Sequence, residues 1–213
     1  MHNWALALHY DRDEKKLSVL SLSNVLFCIE TFNRKCAEQE RTPVIFLSHN
    51  SKNKAYADPL RNFIVGLGVR NDQLIYTSHK DHKIPVGKNI YNYLAEKIHS
   101  NSLMLNLWSN AYFNSIACIS ETGAAWVSGC DYVGLCIPPL SFNDTRFKQT
   151  PIDSNRVGIM LNGDETCKKN MMELGEKIQA VLGIQHNPES VERLVKRFIR
   201  LIPKRQIQRD KSQ

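Results

Sequence analysis

The segment that decides the fold is Pro43-Val-Ile-Phe-Leu-Ser48, an unbroken apolar run that ends on a hydroxyl residue. Short apolar runs of this kind are typical of a strand that is buried on both faces of a sheet. A polar stretch, His49 to Asn53, follows it, and then an amphipathic stretch, Ala55 to Leu67, which stops at Gly68. The sequence therefore predicts a unit of strand, loop and helix.

The same unit recurs along the chain. Further strands are predicted at Leu74–Thr77, Leu103–Trp108, Tyr132–Ile137 and Arg156–Leu161, with helices at Ile90–Ile98, from near Asn114, and at Glu165–Leu182. Strands that alternate with helices indicate a parallel sheet covered on both faces, because right-handed crossovers place helices on each side. We therefore expect an α/β fold of the flavodoxin-like type, with five parallel strands in the order 2-1-3-4-5.

Segments on either side of this pattern are predicted to be helical extensions. Residues 1–42 contain an apolar stripe of helical spacing from about Glu14 to Glu40, residues 43–186 form the main domain, and residues 187–213 form a basic helix and tail opened by Pro188. The formal charge of +7 is concentrated in that last segment. A solvated helix is the simpler interpretation, and a surface for nucleic acid or an acidic partner is the alternative. Because the charge is local, we do not expect nucleic acid as a partner.

Composition predicts a cytoplasmic protein with no membrane span. No stretch approaches the roughly 18 to 20 apolar residues that a spanning helix needs, and the N-terminus has neither the basic start nor the apolar length of a secretion signal. The cysteines lie among apolar residues without metal-binding spacing, so we expect reduced core thiols and no metal site. They are Cys28, Cys36, Cys118, Cys130, Cys136 and Cys167. His79 and His82 have no third ligand nearby in the sequence.

Topology predicts where a ligand binds. In open parallel sheets, ligands lie beyond the carboxyl ends of the strands, at the point where the strand order reverses. Here that point falls between the first and third predicted strands, so the loops Ser48–Asn53 and Ser109–Asn114 are expected to meet. The long polar loop Ser78–Lys88 is expected to border them, either as a lid or as an ordinary surface loop.

Glu121 is the carboxylate that stands out in this region. At helical offsets of three and four its neighbours are Ala117, Cys118, Ala124 and Ala125, with no Lys or Arg to pair with it. Short neighbours predict that the carboxylate lies in a hollow. A solvated helix glutamate is the alternative.

Several other classes of site are disfavoured. No P-loop and no G-x-S-x-G motif occurs, and Gly66 and Gly68 follow a helix where a dinucleotide fingerprint needs a strand-to-helix turn. A phosphoacceptor receiver domain needs an aspartate at the end of strand three, where this chain has Trp108 and Ser109. The aromatics Tyr112 and Trp126 are either core residues or surfaces on which a flat ligand stacks.

Three separated motifs carry a family resemblance. Phe46-Leu-Ser-His-Asn-Ser-Lys-Asn53, Ile84-Pro-Val-Gly-Lys-Asn-Ile90 and the segment Ser109 to Trp126 together resemble the bacterial TIR (Toll/interleukin-1 receptor) domain family, over about residues 43–165. The resemblance implies the flavodoxin-like sheet and, for many members, cleavage of the bond between nicotinamide and ribose in NAD+. NAD+ would then be a substrate, and no cofactor is expected.

The resemblance also implies roles for individual residues. The family's catalytic glutamate, in a Cys-x-x-Glu-x-Gly-Ala-Ala-Trp setting, corresponds to Glu121. Substrate contacts are expected at Ser48, His49, Ser51, Lys52, Lys88, Trp108, Ser109, Tyr112 and Cys118. One departure is Asn53, where the family pattern often has aspartate. We expect the lost carboxylate to weaken a contact of that loop.

The implied reaction needs an ionised carboxylate and has little need of a proton donor. Loss of the cationic nicotinamide passes through an oxocarbenium-like state, which a nearby carboxylate stabilises or traps. Water as acceptor gives ADP-ribose, and the adenine of the same molecule gives a cyclic isomer; the sequence leaves both open. The predicted function is an NAD+ glycohydrolase or cyclase in antiphage defence, activated by self-association through loop 77–89. A non-catalytic scaffold is the alternative, and a sensor or effector protein is a possible partner of either.

Overall fold

The computed structural model describes residues 8–11, 16–19, 41–76, 97–150, 152 and 158–203. The chain divides into two compact units, residues 1–41 and residues 42–213. In the first unit, strands β1 (Leu8–Asp11) and β2 (Lys16–Val19) pair in antiparallel fashion.

This hairpin corrects part of the predicted N-terminal helix. The expectation of a helix from about Glu14 is wrong at Lys16–Val19, which is a strand. Apolar Leu17 and Val19 alternate with polar Lys16 and Ser18, the spacing of a strand, and pairing with β1 satisfies the backbone groups. The rest of that predicted helix, with Cys28 and Cys36, lies outside the described residues.

The second unit is an α/β domain. Its elements, in chain order, are β3 (Ile45–Ser48), α1 (Lys54–Gly66), β4 (Leu74–Ile75), β5 (Leu103–Trp108), α2 (Asn110–Phe113), α3 (Ile116–Val127), β6 (Asp131–Cys136), β7 (Ile159–Met160), α4 (Glu165–Leu182) and α5 (Pro188–Leu201). Within the described ranges, five strands form one sheet in the order β4-β3-β5-β6-β7, and every pair is parallel. The predicted flavodoxin-like order 2-1-3-4-5 is therefore confirmed.

The helix predicted from near Asn114 is α3, which begins at Ile116, and a separate short helix, α2, precedes it. Ser109 begins α2 because its hydroxyl accepts the backbone N–H of Tyr112, and Ser115 begins α3 by accepting that of Cys118. Two serine caps six positions apart thus begin two separate helices. Loop 77–89 and most of the helix predicted at Ile90–Ile98 lie outside the described part of the chain.

Strand alternation separates the two faces of the sheet. On β5, Leu103, Leu105 and Leu107 join the large core formed with α1, α4 and α5, whereas Met104 and Trp108 join clusters on the opposite face, with residues of α3. On β3, the side chains of Ile45 and Leu47 likewise lie in the large core, while Phe46 lies on the opposite face. This alternation places two polar residues, Ser48 and Asn106, on the α3 face, where they are direct register partners.

The terminal helix α5 packs into the large core. Val191, Val195 and Phe198 are fully buried, and the rings of Phe198 and Phe63 are 6.1 Å apart. The basic residues of α5 are exposed on its other side; they are Arg193, Lys196, Arg197 and Arg200. Across the described residues, no helix is both long enough and apolar enough to cross a membrane.

The cysteines that the structure describes are core residues. Cys118, Cys130, Cys136 and Cys167 are buried and free. Burial raises the pKa of Cys130 and of Cys136 to about 12, so both are neutral thiols at physiological pH.

Candidate functional site

The candidate site lies where the sheet order reverses, at the carboxyl ends of β3 and β5. The loops that follow these strands are joined by two hydrogen bonds. Asn50 Nδ2 donates to the carbonyl of Ala111 at 3.1 Å, and Ser109 Oγ donates to Asn53 Oδ1 at 2.7 Å. The amide oxygen of Asn53 thus accepts a hydrogen bond as an aspartate oxygen would. The structure brings the two predicted loops together.

Glu121 reaches this point from α3. Its Oε2 accepts a 2.6 Å hydrogen bond from Ser48 Oγ at the end of β3. Burial raises the pKa of Glu121 above its ordinary value, and the Ser48 donor opposes that shift by stabilising the ionised form. None of the ion pairs in the described part of the chain involves Glu121. The carboxylate is partly desolvated and held by a neutral donor.

Of the small side chains predicted to surround Glu121, some are exposed and others are buried. Ala117 and Ala124 are exposed, while Cys118 and Ala125 are buried beneath the helix. Glu121 itself is half-buried, at the boundary between these two sides. It is therefore accessible from solvent on one side, with only short side chains flanking it on α3.

A cluster of buried polar groups lies beneath Ser48. The hydroxyl of Tyr112 is 3.0 Å from Ser48 Oγ, 3.0 Å from the acceptor Asn106 Oδ1, and 2.9 Å from Thr122 Oγ1. Thr122 Oγ1 is also 3.0 Å from the carbonyl oxygen of Cys118, which is a second acceptor for its proton. Tyr112 is fully buried, and burial raises the pKa of its phenol, so it is a neutral hydroxyl at this site.

Sequence reasoning did not find Asn106 and Thr122. The available signal was Asn106 itself, a polar residue in the otherwise apolar strand Leu103–Trp108. A polar side chain at a buried strand position requires a hydrogen-bond partner, and that partner lies on the neighbouring helix or strand. The sequence of this strand therefore indicates that Asn106 has buried polar partners, but it does not identify them.

The residues predicted in the first loop have different environments. His49 is buried, its Nδ1 lies 3.3 Å from the carbonyl of Leu47, and its ring is 4.7 Å from that of Tyr76. Burial lowers the pKa of His49, which favours the neutral ring. Ser51 and Lys52 are exposed, in the single helical turn that follows β3.

Trp108 and Cys118 are core residues in the structure. The Trp108 ring lies 4.8 Å from the Phe147 ring and directly over Gly134. Cys118 is buried, and burial raises the pKa of its thiol. Like Ser48 and Tyr112, they lie beneath the accessible surface of the site, and a direct contact with substrate stays a prediction for each. Lys88 lies outside the described residues.

The sequence left the roles of Tyr112 and Trp126 open, and the structure gives the two side chains different environments. Tyr112 is a core residue, whereas a core position is wrong for Trp126, which is 63% exposed near the end of α3. Ile116 and Val127 on the same helix are also largely exposed. The outer side of α3 is therefore an apolar surface next to the candidate site.

Comparison with known proteins identifies the region that contains this site. A family model described as the TIR domain matches residues 45–173, more than half of the chain, including both loops and all of α3. The chain is also similar to the uncharacterized protein YddK of Bacillus subtilis (strain 168), with 33% identity over 84 residues. That similarity covers 39% of this chain and 32% of YddK.

Proposed function

Because this chain belongs to the TIR domain family, we propose that it is an NAD+ nucleosidase that cleaves the bond between nicotinamide and ribose. One observation carries the proposal: Glu121 is a partly buried carboxylate, held by Ser48 at the point where the order of the parallel sheet reverses. A carboxylate at such a position is suited to a cationic reacting group.

Ionised Glu121 would act on the ribosyl carbon. The glycosidic C–N bond breaks with its electron pair going to the nicotinamide nitrogen, so the ring leaves as a neutral molecule and positive charge develops on the ribose. Glu121 stabilises that charge or forms a bond to it, and its partial burial strengthens the interaction because less water screens it. Attack by water then gives ADP-ribose and a proton; attack by an adenine nitrogen gives a cyclic isomer.

The exposed residues of the first loop suit the remaining part of the substrate. Lys52 is an exposed point charge close in sequence to Ser48, and Ser51 adds a hydroxyl, so both can meet a pyrophosphate. Lys88 is proposed for the same role from the sequence alone. Activation by self-association through loop 77–89, a cytoplasmic location and a role in antiphage defence belong to this proposal as well.

A non-catalytic scaffold is the second candidate, and the outer surface of α3 favours it. Ile116, Trp126 and Val127 are 86%, 63% and 78% exposed, respectively. Large apolar side chains that are exposed at the two ends of one helix are available for protein-protein contacts. A scaffold would use that surface without any need for an ionised Glu121.

Product analysis after incubation with NAD+ tests the proposal. Full-length protein, assayed over a range of concentrations that favours assembly, should release nicotinamide, and mass spectrometry should identify ADP-ribose or its cyclic isomer. Glu121→Gln should lower release by at least about 100-fold, as expected when a group that stabilises transition-state charge is removed. The matched control is Glu173→Gln, which changes an exposed carboxylate on α4.

Two outcomes would contradict the enzyme proposal. Equal release from the wild type and from Glu121→Gln would show that this carboxylate does not act. No release from protein that light scattering shows to be assembled would favour the scaffold.

A further inference from the structure

A chain of hydroxyl groups runs from Glu121 into the protein interior. Glu121 Oε2 is 2.6 Å from Ser48 Oγ, Ser48 Oγ is 3.0 Å from the Tyr112 hydroxyl, and that hydroxyl is 3.0 Å from Asn106 Oδ1. These four residues come from α3, β3, α2 and β5, respectively. The chain therefore connects the candidate carboxylate to two neighbouring strands of the sheet.

The sheet fixes the inner part of this chain. Ser48 and Asn106 are register partners in the parallel pair β3–β5, so their positions follow from the backbone hydrogen bonds of the sheet. Tyr112 contacts both of them. Ser48, Asn106 and Tyr112 have at most 1% of their surface exposed, so bulk water does not compete for these hydrogen bonds.

The number of protons on these groups sets which group donates and which accepts in each hydrogen bond of the chain. Each hydroxyl has one proton to donate, and an ionised carboxylate only accepts. When Glu121 is ionised, Ser48 donates to it and is free to accept from Tyr112. When Glu121 is protonated, the order reverses: Glu121 donates to Ser48, Ser48 to Tyr112, and Tyr112 to Asn106 Oδ1. The ionised order uses the oxygens of Glu121, Ser48 and Tyr112, and the protonated order extends to Asn106 Oδ1, at the same distances.

Thr122 supports the chain from the other side. Its Oγ1 lies 2.9 Å from the Tyr112 hydroxyl and 3.0 Å from the carbonyl of Cys118, so its proton has an acceptor at either place. Tyr112 therefore keeps a second hydrogen-bond partner in both orders of the chain. The cost of leaving a buried hydroxyl without a partner is avoided in both protonation states.

We propose that Ser48 and Tyr112 are positioning residues that hold the Glu121 carboxylate, through a hydroxyl chain whose direction follows the protonation state of Glu121. As a role in catalysis this rests on the proposed function, in which ionised Glu121 meets the ribosyl cation. Ser48 acts directly by stabilising the ionised form. Tyr112 acts through Ser48, because the proton it donates polarises the Ser48 hydroxyl toward Glu121.

The other titratable groups that face Glu121 do not change state where it titrates. Among the described residues these are Tyr112 and Cys118, on α2 and α3, and burial raises the pKa of each. Both therefore stay protonated while Glu121 ionises. No described Lys, Arg or His contributes to the pKa of Glu121, which depends on burial and on Ser48. A change in its ionisation can thus be assigned to the hydroxyl chain.

The test is a carbon-13 NMR titration of the Glu121 carboxyl in full-length protein without NAD+. Ser48→Ala should make Glu121 an about tenfold weaker acid, the effect of losing one hydrogen bond to a charged group. Tyr112→Phe should weaken it by a smaller factor, about twofold to threefold, because Tyr112 acts through Ser48. Nicotinamide release by active protein should show the same shift, with the acid limb of the kcat profile moved to higher pH and KM unchanged.

Two buried residues away from this chain are matched controls. Ser102→Ala removes a buried hydroxyl at the amino end of β5 that accepts from the backbone N–H of Val44. Tyr76→Phe removes a buried phenol that donates to Asp58. Neither control should change the acidity of Glu121. The positioning role is overturned if Ser48→Ala shifts the titration no more than Ser102→Ala, or if Tyr112→Phe matches Tyr76→Phe.

The two proposals fail separately in this design. If the wild type releases nicotinamide but Ser48→Ala and Tyr112→Phe leave the Glu121 titration unchanged, the positioning role is overturned and the enzyme proposal stands. Shifted titrations in assembled protein that releases no nicotinamide support the hydroxyl chain and overturn the enzyme proposal. If Ser48→Ala does not fold, Tyr112→Phe, which keeps every ring atom in the core, provides the decisive titration.

Discussion

The hydroxyl of Ser48 lies 2.6 Å from Oε2 of Glu121, although the two residues are 73 positions apart in the chain. The contact joins the carboxyl end of strand β3 to the middle of helix α3. It places a carboxylate in a partly buried position, where ionisation costs free energy that Ser48 only partly offsets. Folding stability should therefore depend on the charge of this one residue.

Glu121→Gln should stabilise the protein at neutral pH. Because the pKa of Glu121 is raised in the folded state, the protonated form is favoured there, and the associated stability is present below the ordinary value of 4.5 and lost as pH rises through the folded pKa. Glutamine cannot ionise and avoids this loss. The gain should be roughly 0.5 to 2 kcal/mol at pH 7, the usual range for a single stabilising substitution.

Urea unfolding at pH 7 and at pH 4 measures this effect. The difference in unfolding free energy between Glu121→Gln and the wild type should be smaller at pH 4, where Glu121 is protonated, and therefore neutral, a larger fraction of the time. Glu173→Gln, on the exposed side of α4, should show no comparable difference. An equal advantage at both pH values would mean that burial of charge is not its cause.

Asn53→Asp and Asn53→Ala should differ in stability. The Ser109 hydroxyl donates to Asn53 Oδ1 at 2.7 Å, and aspartate keeps an oxygen at that position whereas alanine does not. Asn53 also immediately precedes α1, where a negative charge is favoured by the helix dipole. Thermal unfolding should show Asn53→Asp close to or above the wild type and Asn53→Ala lower by about 1 kcal/mol. Equal losses in the two variants would exclude the Ser109 contact as a stabilising interaction.

Phe198→Ala should show that α5 is an integral part of the domain. The ring is fully buried against the large core and 6.1 Å from the ring of Phe63. Removing it should cost about 3 to 5 kcal/mol through lost burial and a residual cavity. Arg197→Ala, the preceding exposed position, should change stability by no more than about 0.5 kcal/mol. A cost below about 1 kcal/mol for Phe198→Ala would mean that α5 unfolds independently of the sheet.

The sheet was predictable because its strands are short apolar runs between polar loops. Leu103–Trp108 and the helix Glu165–Leu182 agree with the sequence prediction at both ends. The strand order followed from the alternation of strands and helices, and the meeting of the two loops followed from that order. Local pattern is enough here because each element buries one continuous apolar surface.

The hydrogen-bond cluster was not predictable in the same way. Glu121, Ser48 and Tyr112 were each chosen as site residues, but the sequence assigned the last two to substrate, and the structure buries them beneath Glu121. Their contacts depend on strand register and on the helix break at Ser115, and neither leaves a local pattern. The strand at Lys16–Val19 was missed because an apolar stripe continued beyond it and dominated the periodicity.

Gly134 should not tolerate alanine. A Cβ at this position of β6 would lie 1.9 Å from Trp108 Cζ3 and 2.0 Å from its Cη2, well inside contact distance. The indole cannot move away easily, because its ring also packs edge-on against Phe147 at 4.8 Å. Gly134→Ala should therefore destabilise the protein by about 1 to 3 kcal/mol or more, as overpacking of a core does.

Gly123→Ala is the matched control, since it adds the same methyl group where the described residues leave room. A Cβ on Gly123 meets nothing within 4 Å among them, and the position is inside α3, where alanine is the better helix former by up to about 1 kcal/mol. The Tm of thermal unfolding should therefore fall for Gly134→Ala and rise for Gly123→Ala. If Gly134→Ala is as stable as the wild type, the Trp108 ring does not occupy the space over β6, and the packing beneath the candidate site is different from the one described.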